Sequence, residues 1–423
     1  ILRPNPETEA EPDPMNPTNL DPNGYDTATR RSIAFLNLAH GIDHFVLLIY
    51  PTVVIGLGAV FHRDYSELIA LSTAAFVAFG VFSLPAGWLA DRWSRRNMMA
   101  TFYVGCGLSL VVAGLSPNME VLAGGLFGVG MFASIYHPVG MAMLIEASQA
   151  RGRTLAFNGV CGNLGVSLAA GSSAGLATLL GWRAAFLVPA VLCVAVGIVY
   201  VMLTSDDGHH AKHRKSVPAL PMTPRLAAVV FGLFVVITMT GGTVFNLLTI
   251  ALPKIVDEGL AANVPLWLAG SVATAVLICG AVAQLAVGRL VERFSVQGLF
   301  AIITAFGFVG NLWAAYADGI ALMVALAIAI AAIYGQVTVN DMLLARFTAD
   351  AWRGRIYAVR YFLLFVSAAA AIGMISYLHA SGGFGLVLAI NATVAFAIFA
   401  ATGTLALLVT SIESRRAAAQ AAE

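Results

Sequence analysis

The chain has 423 residues, of which 59% are hydrophobic and only 11% charged. A soluble globular domain carries about 25% charged residues, so a water-soluble enzyme is excluded and a membrane protein is implied. The 23 Lys and Arg against 22 Asp and Glu leave a net charge of +1, which supplies no electrostatic footprint for nucleic acid.

Residues 1–30 are rich in Pro, Asn, Asp and Glu and are expected to form a disordered cytoplasmic segment. They lack the basic start and apolar core of a signal peptide. Beyond them the chain falls into apolar stretches long enough to cross a bilayer, which takes about 20 residues each. Six such spans fill residues 31–203, at 32–58, 66–90, 97–115, 119–146, 153–179 and 183–203.

Span one carries His40, Asp43 and His44. Positions three and four apart share a helix face, so all three can point one way. Ionisable groups inside a membrane are costly and mark transport pathways. Asp43 beside two imidazoles is a candidate proton carrier, because His titrates closest to working pH. Tyr50 and Pro51 follow on the same span. Between spans two and three lies Gly87-Trp88-Leu89-Ala90-Asp91-Arg92-Trp93-Ser94-Arg95-Arg96. Span four holds Tyr136, His137, Met141 and Met143, with His137 and Met141 one turn apart, and Pro138 should loosen the backbone there and free a carbonyl. Together His40, Asp43, His44, His137 and Met141 are a mixed N, O and S set that suits copper, iron or zinc. Span five adds Asn158, Cys161 and Gly162-Asn163-Leu164-Gly165; Asn158 and Asn163 can act in a site or as bonds between helices.

Residues 204–223 form a polar cytoplasmic linker, whose His209-His210-Ala211-Lys212-His213 either binds metal or, the favoured reading, solvates the connection. Six more spans fill residues 224–411, at 225–252, 264–288, 297–316, 318–345, 354–378 and 383–410, and residues 412–423 are a short polar cytoplasmic tail. Span seven offers Thr240, Thr243 and Asn246. Span ten offers Gln336, Asn340 and Asp341, the last within reach of Arg346 or Arg360. Arg360 lies inside span eleven, where an unpaired charge would be costly. Cys106, Cys161, Cys193 and Cys279 all sit in apolar stretches without metal or redox spacing and read as small buried residues.

The two halves repeat. Gly288-Arg289-Leu290-Val291-Glu292-Arg293-Phe294-Ser295 is a degenerate copy of the first charged loop, 201 residues later. Gly152-Arg153 matches Gly354-Arg355, and Ile135-Tyr136 matches Ile333-Tyr334. With six spans per half the repeat is parallel, about an axis along the membrane normal. Nearly all Lys and Arg fall on one side, and only Arg63, Arg183 and Lys254 on the other, so both termini and the linker are expected to be cytoplasmic.

With these residues in place, the chain resembles the major facilitator superfamily over essentially all of its membrane part. The Asp91 loop matches that superfamily's motif between spans two and three, with Ser94 where Gly is usual. His40 with Asp43, Tyr136-His137-Pro138 and Gly162-Asn163-Leu164-Gly165 resemble the fosmidomycin-resistance-type exporters. The span-five signature of antiporters normally carries a Pro, absent from Gly171-Ser172-Ser173-Ala174-Gly175, and the span-four Arg of proton-coupled exporters is missing. The resemblance implies an all-α membrane protein of twelve transmembrane helices in two pseudo-symmetric six-helix bundles. It implies a central cavity lined by spans one, four, seven and ten, hence a substrate or proton site drawn from His40, Asp43, His44, Tyr50, Tyr136, His137, Asn163, Asn246, Gln336, Asn340 and Asp341. It implies gating by Gly87, Asp91, Arg92, Glu292, Arg293 and Arg360. Asp91 should meet Arg360 when the cytoplasmic side is closed, and Glu292 should face the start of span five near Arg153 and Asn158.

The expected function is secondary active transport across the inner membrane by alternating access, proton-coupled, with export of a small organic compound. The alternative is a transition-metal transporter using the His, Asp and Met set. No phosphate-binding glycine loop or other catalytic motif appears, which speaks against ATP-driven transport and against an enzyme. The expected partners are a small-molecule or ion substrate and the bilayer, for a monomer that needs no cofactor beyond a proton gradient.

Overall fold

The computed structural model describes residues 25–147, 151–205, 223–260, 264–348 and 350–422. Among them the chain is helical throughout, with no strand. The first half comprises α1 (Thr27–Val53), α2 (Ser72–Arg92), α3 (Arg95–Gly114), α4 (Met119–Ala133), α5 (Arg151–Leu180) and α6 (Ala184–Leu203). The second comprises α7 (Pro224–Leu260), α8 (Leu266–Leu290), α9 (Val296–Ala314), α10 (Gly319–Phe347) and a continuous run, Asp350–Ala422. That run breaks at Gly382 and Gly383, the latter at φ +64°, into α11 before the break and α12 after it. Among the described residues eleven helices are long and apolar enough to cross a membrane, the last of them, Phe362–Ser411, long enough for two crossings.

Local chemistry sets the helix ends. The Asp26 carboxylate accepts the Thr29 N–H at 2.7 Å and caps α1. Just before it, Tyr25 is buried and its hydroxyl lies 3.4 Å from that of Thr154 on α5. The ordered chain is thus under way by residue 25, a correction to the expectation of disorder through residue 30; residues 1–24 lie outside the described part, as does most of the 204–223 linker with its histidines. Ser94 accepts the Asn97 N–H at 3.2 Å and caps α3, which gives a physical reason for Ser at that position of the charged loop. The polar tail is helical to Ala422. At Pro138, which has no N–H to give, the chain makes a π turn over Tyr136–Gly140 before a short helix, Met141–Ala147, carries α4 on. Cys279, expected to be buried, is exposed on α8, since an apolar thiol costs nothing on a face turned to lipid.

Within the first half α1 packs on α5, α3 on α6, and α4 on α2 and α3. Within the second α8 and α9 both pack on α10. Glycine permits the tightest crossing: a Cβ at Gly165 of α5 would run into the Gly41 carbonyl of α1. The halves meet along α5–α8 and α2–α11. The Thr274 hydroxyl of α8 donates to the Ser167 carbonyl at 2.6 Å and accepts the Gly171 N–H at 2.9 Å. Midway down α2, Phe79 meets Phe365 of α11 edge-on with ring centres 4.7 Å apart.

The two ends of the molecule differ. At the end away from the Asp91 loop a polar cluster joins the halves. His379 Nε2 donates to Glu258 at 3.1 Å, and its Nδ1 lies 2.9 Å from the Ser66 hydroxyl. Ser376 donates to the Ser66 carbonyl at 2.7 Å, and Tyr65 packs on His379 at 5.1 Å. At the Asp91 end the charges pair inside their own halves. Arg95 bridges Asp91 at 3.3 Å and Glu146 at 2.6 Å, while Arg360 pairs with Asp341. The Asp91–Arg360 pair expected for a closed end is accordingly not made in this arrangement.

Candidate functional site

The π turn and one face of α1 bring together four ionisable side chains, His40, Asp43, His44 and His137. His40, Asp43 and His44 lie together on α1, and the turn at Pro138 swings His137 onto them. The ring centres of His40 and His44 are 5.0 Å apart, those of His40 and His137 5.5 Å, and those of His44 and His137 5.7 Å. Asp43 is 0% exposed. Its Oδ2 lies 3.3 Å from His137 Nε2, within ion-pair range, and neither carboxylate oxygen makes a hydrogen bond among the described residues. A buried carboxylate without a hydrogen-bond donor is costly when ionised, and a proton or a cation beside it lowers that cost.

Asn158 of α5 organises the cluster from behind. It is 1% exposed and fully engaged. Its carbonyl accepts His40 Nδ1–H at 2.8 Å, its Oδ1 accepts the Tyr136 hydroxyl at 3.0 Å, and its Nδ2 donates to Asn37 at 3.0 Å and to the Leu36 carbonyl at 3.4 Å. A carbonyl can only accept, so the His40 proton sits on Nδ1 and Nε2 keeps its lone pair when the ring is neutral. Tyr136 in turn stacks on His40 at 4.8 Å, and the Met141 sulfur lies 3.8 Å from the Tyr136 hydroxyl. This corrects the expectation for Asn158: it points at α1 and α4 because four buried hydrogen-bonding valences are satisfied there, and it has no contact with Glu292. The Arg153 side chain lies outside the described residues.

The other expected site residues are dispersed. Tyr50 sits two turns beyond His44, its hydroxyl donating to the Leu68 carbonyl at 2.6 Å. Asn163 spans the halves to Gln284 of α8, whose Nε2 lies 3.4 Å from the Thr338 hydroxyl of α10. Asn246 donates to Gly242 of its own helix at 2.8 Å. Gln336 and Asn340 are buried on α10. Asp341 is committed to Arg360, one of the two partners its position allowed. Of the loop residues, Gly87 lets α2 approach the site: a Cβ there would lie 3.3 Å from the Pro138 ring. The Arg92 guanidinium stands 4.1 Å over the Trp88 ring, and Glu292 and Arg293 are exposed.

Three features escaped the sequence. Gln284 is a lone amide in an apolar span, Thr274 is one of two hydroxyls on that same helix, and the Tyr65–Ser66–Glu258–His379 cluster draws on three separate segments. The signal available for Gln284 was its polarity at mid-span; the cluster had none beyond the presence of His379 near a span end.

Residues 33–273, more than half of the chain, match the family model described as Major Facilitator Superfamily. The chain belongs to this superfamily. The assignment makes it a membrane transporter rather than an enzyme. Among curated proteins it is 29% identical over 178 residues to a lincomycin resistance protein of Streptomyces lincolnensis, covering 41% of this chain and 36% of that protein. It is 25% identical over 146 residues to a probable L-galactonate transporter of Escherichia coli (strain K12), covering 34% and 32%. The chain thus spans about a third of the length of the curated relatives it matches. Among solved structures it is similar to a bacterial homologue of the human lysosomal transporter Spinster, in inward-facing and occupied form, with TM-score 0.71 and 14% identity over 93% of this chain and 98% of that one. The unoccupied form of that homologue gives 0.69 and 13%, over 91% and 96%. These likenesses show the fold: two six-helix bundles of the superfamily.

Proposed function

We propose that this superfamily member is a proton-coupled exporter of a small organic solute, working by alternating access. The observation that carries the reading is Asp43, wholly buried against His137 beside the seam between the halves. Phe79 connects the two places, with its ring 6.0 Å from His137 and 4.7 Å from Phe365. An acid–imidazole pair there can gain or lose a proton as the halves rock about the seam.

The excess of Lys and Arg at the Asp91 end supports a cytoplasmic side there, in an inner membrane. The joined end is then the outer one, and the arrangement is inward-facing, the conformation of the similar Spinster homologue structure. Export of an organic compound is supported by the similarity to a lincomycin resistance protein, and the solute would bind on the faces of α1, α4, α7 and α10. Opening the outer end requires parting His379 from Ser66 and from Glu258; closing the inner end would then bring Asp91 toward Arg360.

The test is flux in proteoliposomes under an imposed pH gradient, with lincomycin and L-galactonate as probes. Wild type should move at least one probe against its gradient, and Asp43→Asn should lose that driven flux while keeping exchange of probe across the membrane. Driven flux unaltered in Asp43→Asn would remove the coupling role.

A further inference from the structure

One ring nitrogen from each of His40, His44 and His137 lies within 4.8 Å of the other two. We infer that these three imidazoles form a binding site for a divalent transition-metal ion of the zinc, nickel or cobalt class. The inference concerns what the cluster ligates and stands whether or not a proton drives transport.

The donor set decides the class. Imidazole nitrogen suits these borderline ions, and no thiolate belongs to the group. One of the rings already has the outer partner that a metal-bound histidine needs, and a second has a carboxylate close by. A ligating ring gives its other N–H to a carbonyl or a carboxylate, which fixes its orientation and raises its basicity. His40 Nδ1 gives its proton to the Asn158 carbonyl at 2.8 Å, and His137 Nε2 faces Asp43 Oδ2 at 3.3 Å. Each of those rings is left with a lone pair on its second nitrogen. Asp43 is therefore a positioning residue, and its buried negative charge offsets part of the charge of the ion. Met141, whose sulfur faces the Tyr136 hydroxyl, is not needed.

Size agrees after a small adjustment. Metal–nitrogen bonds of 2.0–2.1 Å in a tetrahedron put the nitrogens about 3.3 Å apart, so the rings must close in by roughly 1 Å. His44 can supply the movement, since it makes no hydrogen bond among the described residues. Three protein nitrogens leave a fourth position for water or a group of the transported solute. Packing alone accounts less well for the arrangement: three aromatic hydrocarbon rings would fill the space and spare Asp43 its burial.

The experiment is cobalt(II) titration of the full chain in detergent, prepared without a histidine tag and with His209, His210 and His213 replaced by Gln. Wild type should bind one cobalt per chain with the visible spectrum of a four-coordinate site. His44→Gln should abolish that spectrum, Asp43→Asn should weaken binding about 10–100-fold, and His62→Asn, at an exposed position, should change nothing. X-ray absorption of the zinc-loaded wild type gives a readout that needs no variant: three imidazole nitrogens at about 2.0–2.1 Å are expected. Absence of a cobalt spectrum, a spectrum untouched by His44→Gln, or a zinc shell without imidazoles would each overturn the site. A chain that binds no metal leaves the coupling reading standing, and unaltered flux in Asp43→Asn leaves the metal site standing.

Discussion

The two halves place the same ring in the same slot and surround it differently. Tyr136 of α4 and Tyr334 of α10 are equivalent in the repeat, and both are buried. Against Tyr136 lies His40, stacked at 4.8 Å; against Tyr334 lies Phe245, tilted at 5.5 Å. The Tyr136 hydroxyl donates to Asn158, whereas the Tyr334 hydroxyl is buried with no partner among the described residues. The contrast extends along the helices. On α7, Thr240, Thr243, Asn246 and Thr249 each donate to the carbonyl four residues back in their own helix. On α1, His40 and Tyr50 reach carbonyls of other segments. A polar group satisfied by its own helix makes no demand on its neighbours, so α7 can shift against them at little cost. The polar groups of α1 are tied to α5, to α4 and to the segment before α2. Chemistry is concentrated where the ties are.

That contrast can be broken most directly at the acid. Asp43→Asn should reduce pH-driven flux to the background of empty vesicles. Asn246→Ala, which loses a bond worth about 1 kcal/mol, should lower it no more than about fivefold. Next in size is packing. Gly165→Ala, driven against the Gly41 carbonyl, should cost about 1–3 kcal/mol in a detergent unfolding titration. Gly403→Ala in α12, where an added Cβ meets nothing within 4 Å, should be neutral or slightly stabilising. The paired tyrosines give a sharper contrast. Tyr136→Phe should destabilise by about 1–2 kcal/mol, because it strands a buried Asn158 oxygen. Tyr334→Phe should be neutral or stabilising, since it removes a hydroxyl that has no partner. Equal losses in the two would show the slots to be alike after all. Smallest of all, Thr243→Val should stay within about 0.5 kcal/mol, as the hydroxyl only duplicates a helix bond.

Much of the architecture was legible in the sequence because a bilayer imposes length. The break between spans eleven and twelve, expected between 378 and 383, falls at Gly382 and Gly383. Spacing of three and four brought His40, Asp43 and His44 to one face, whereas at Pro138 the sequence indicated a loosened backbone but not the π turn that adds His137. Rotation about helix axes was not legible, because it is set by packing against neighbours rather than by any residue's own preference. Asn158 could have faced Glu292 or Tyr136 on spacing alone, and only the burial of its four partners decides. The same ignorance of rotation hid Gln284 opposite Asn163, and it hid His379 opposite Ser66, more than 300 residues away in the chain.

The glycine pair that ends α11 has a mechanical consequence. Two residues of extended chain reach only about 7 Å, and Gly383 sits in the left-handed region that a side chain would resist. Helices α11 and α12 are therefore leashed at their tops with almost no slack. Whatever tilts α11 when His379 lets go must drag α12 along as a passenger, and the helical tail to Ala422 at the opposite face swings with them.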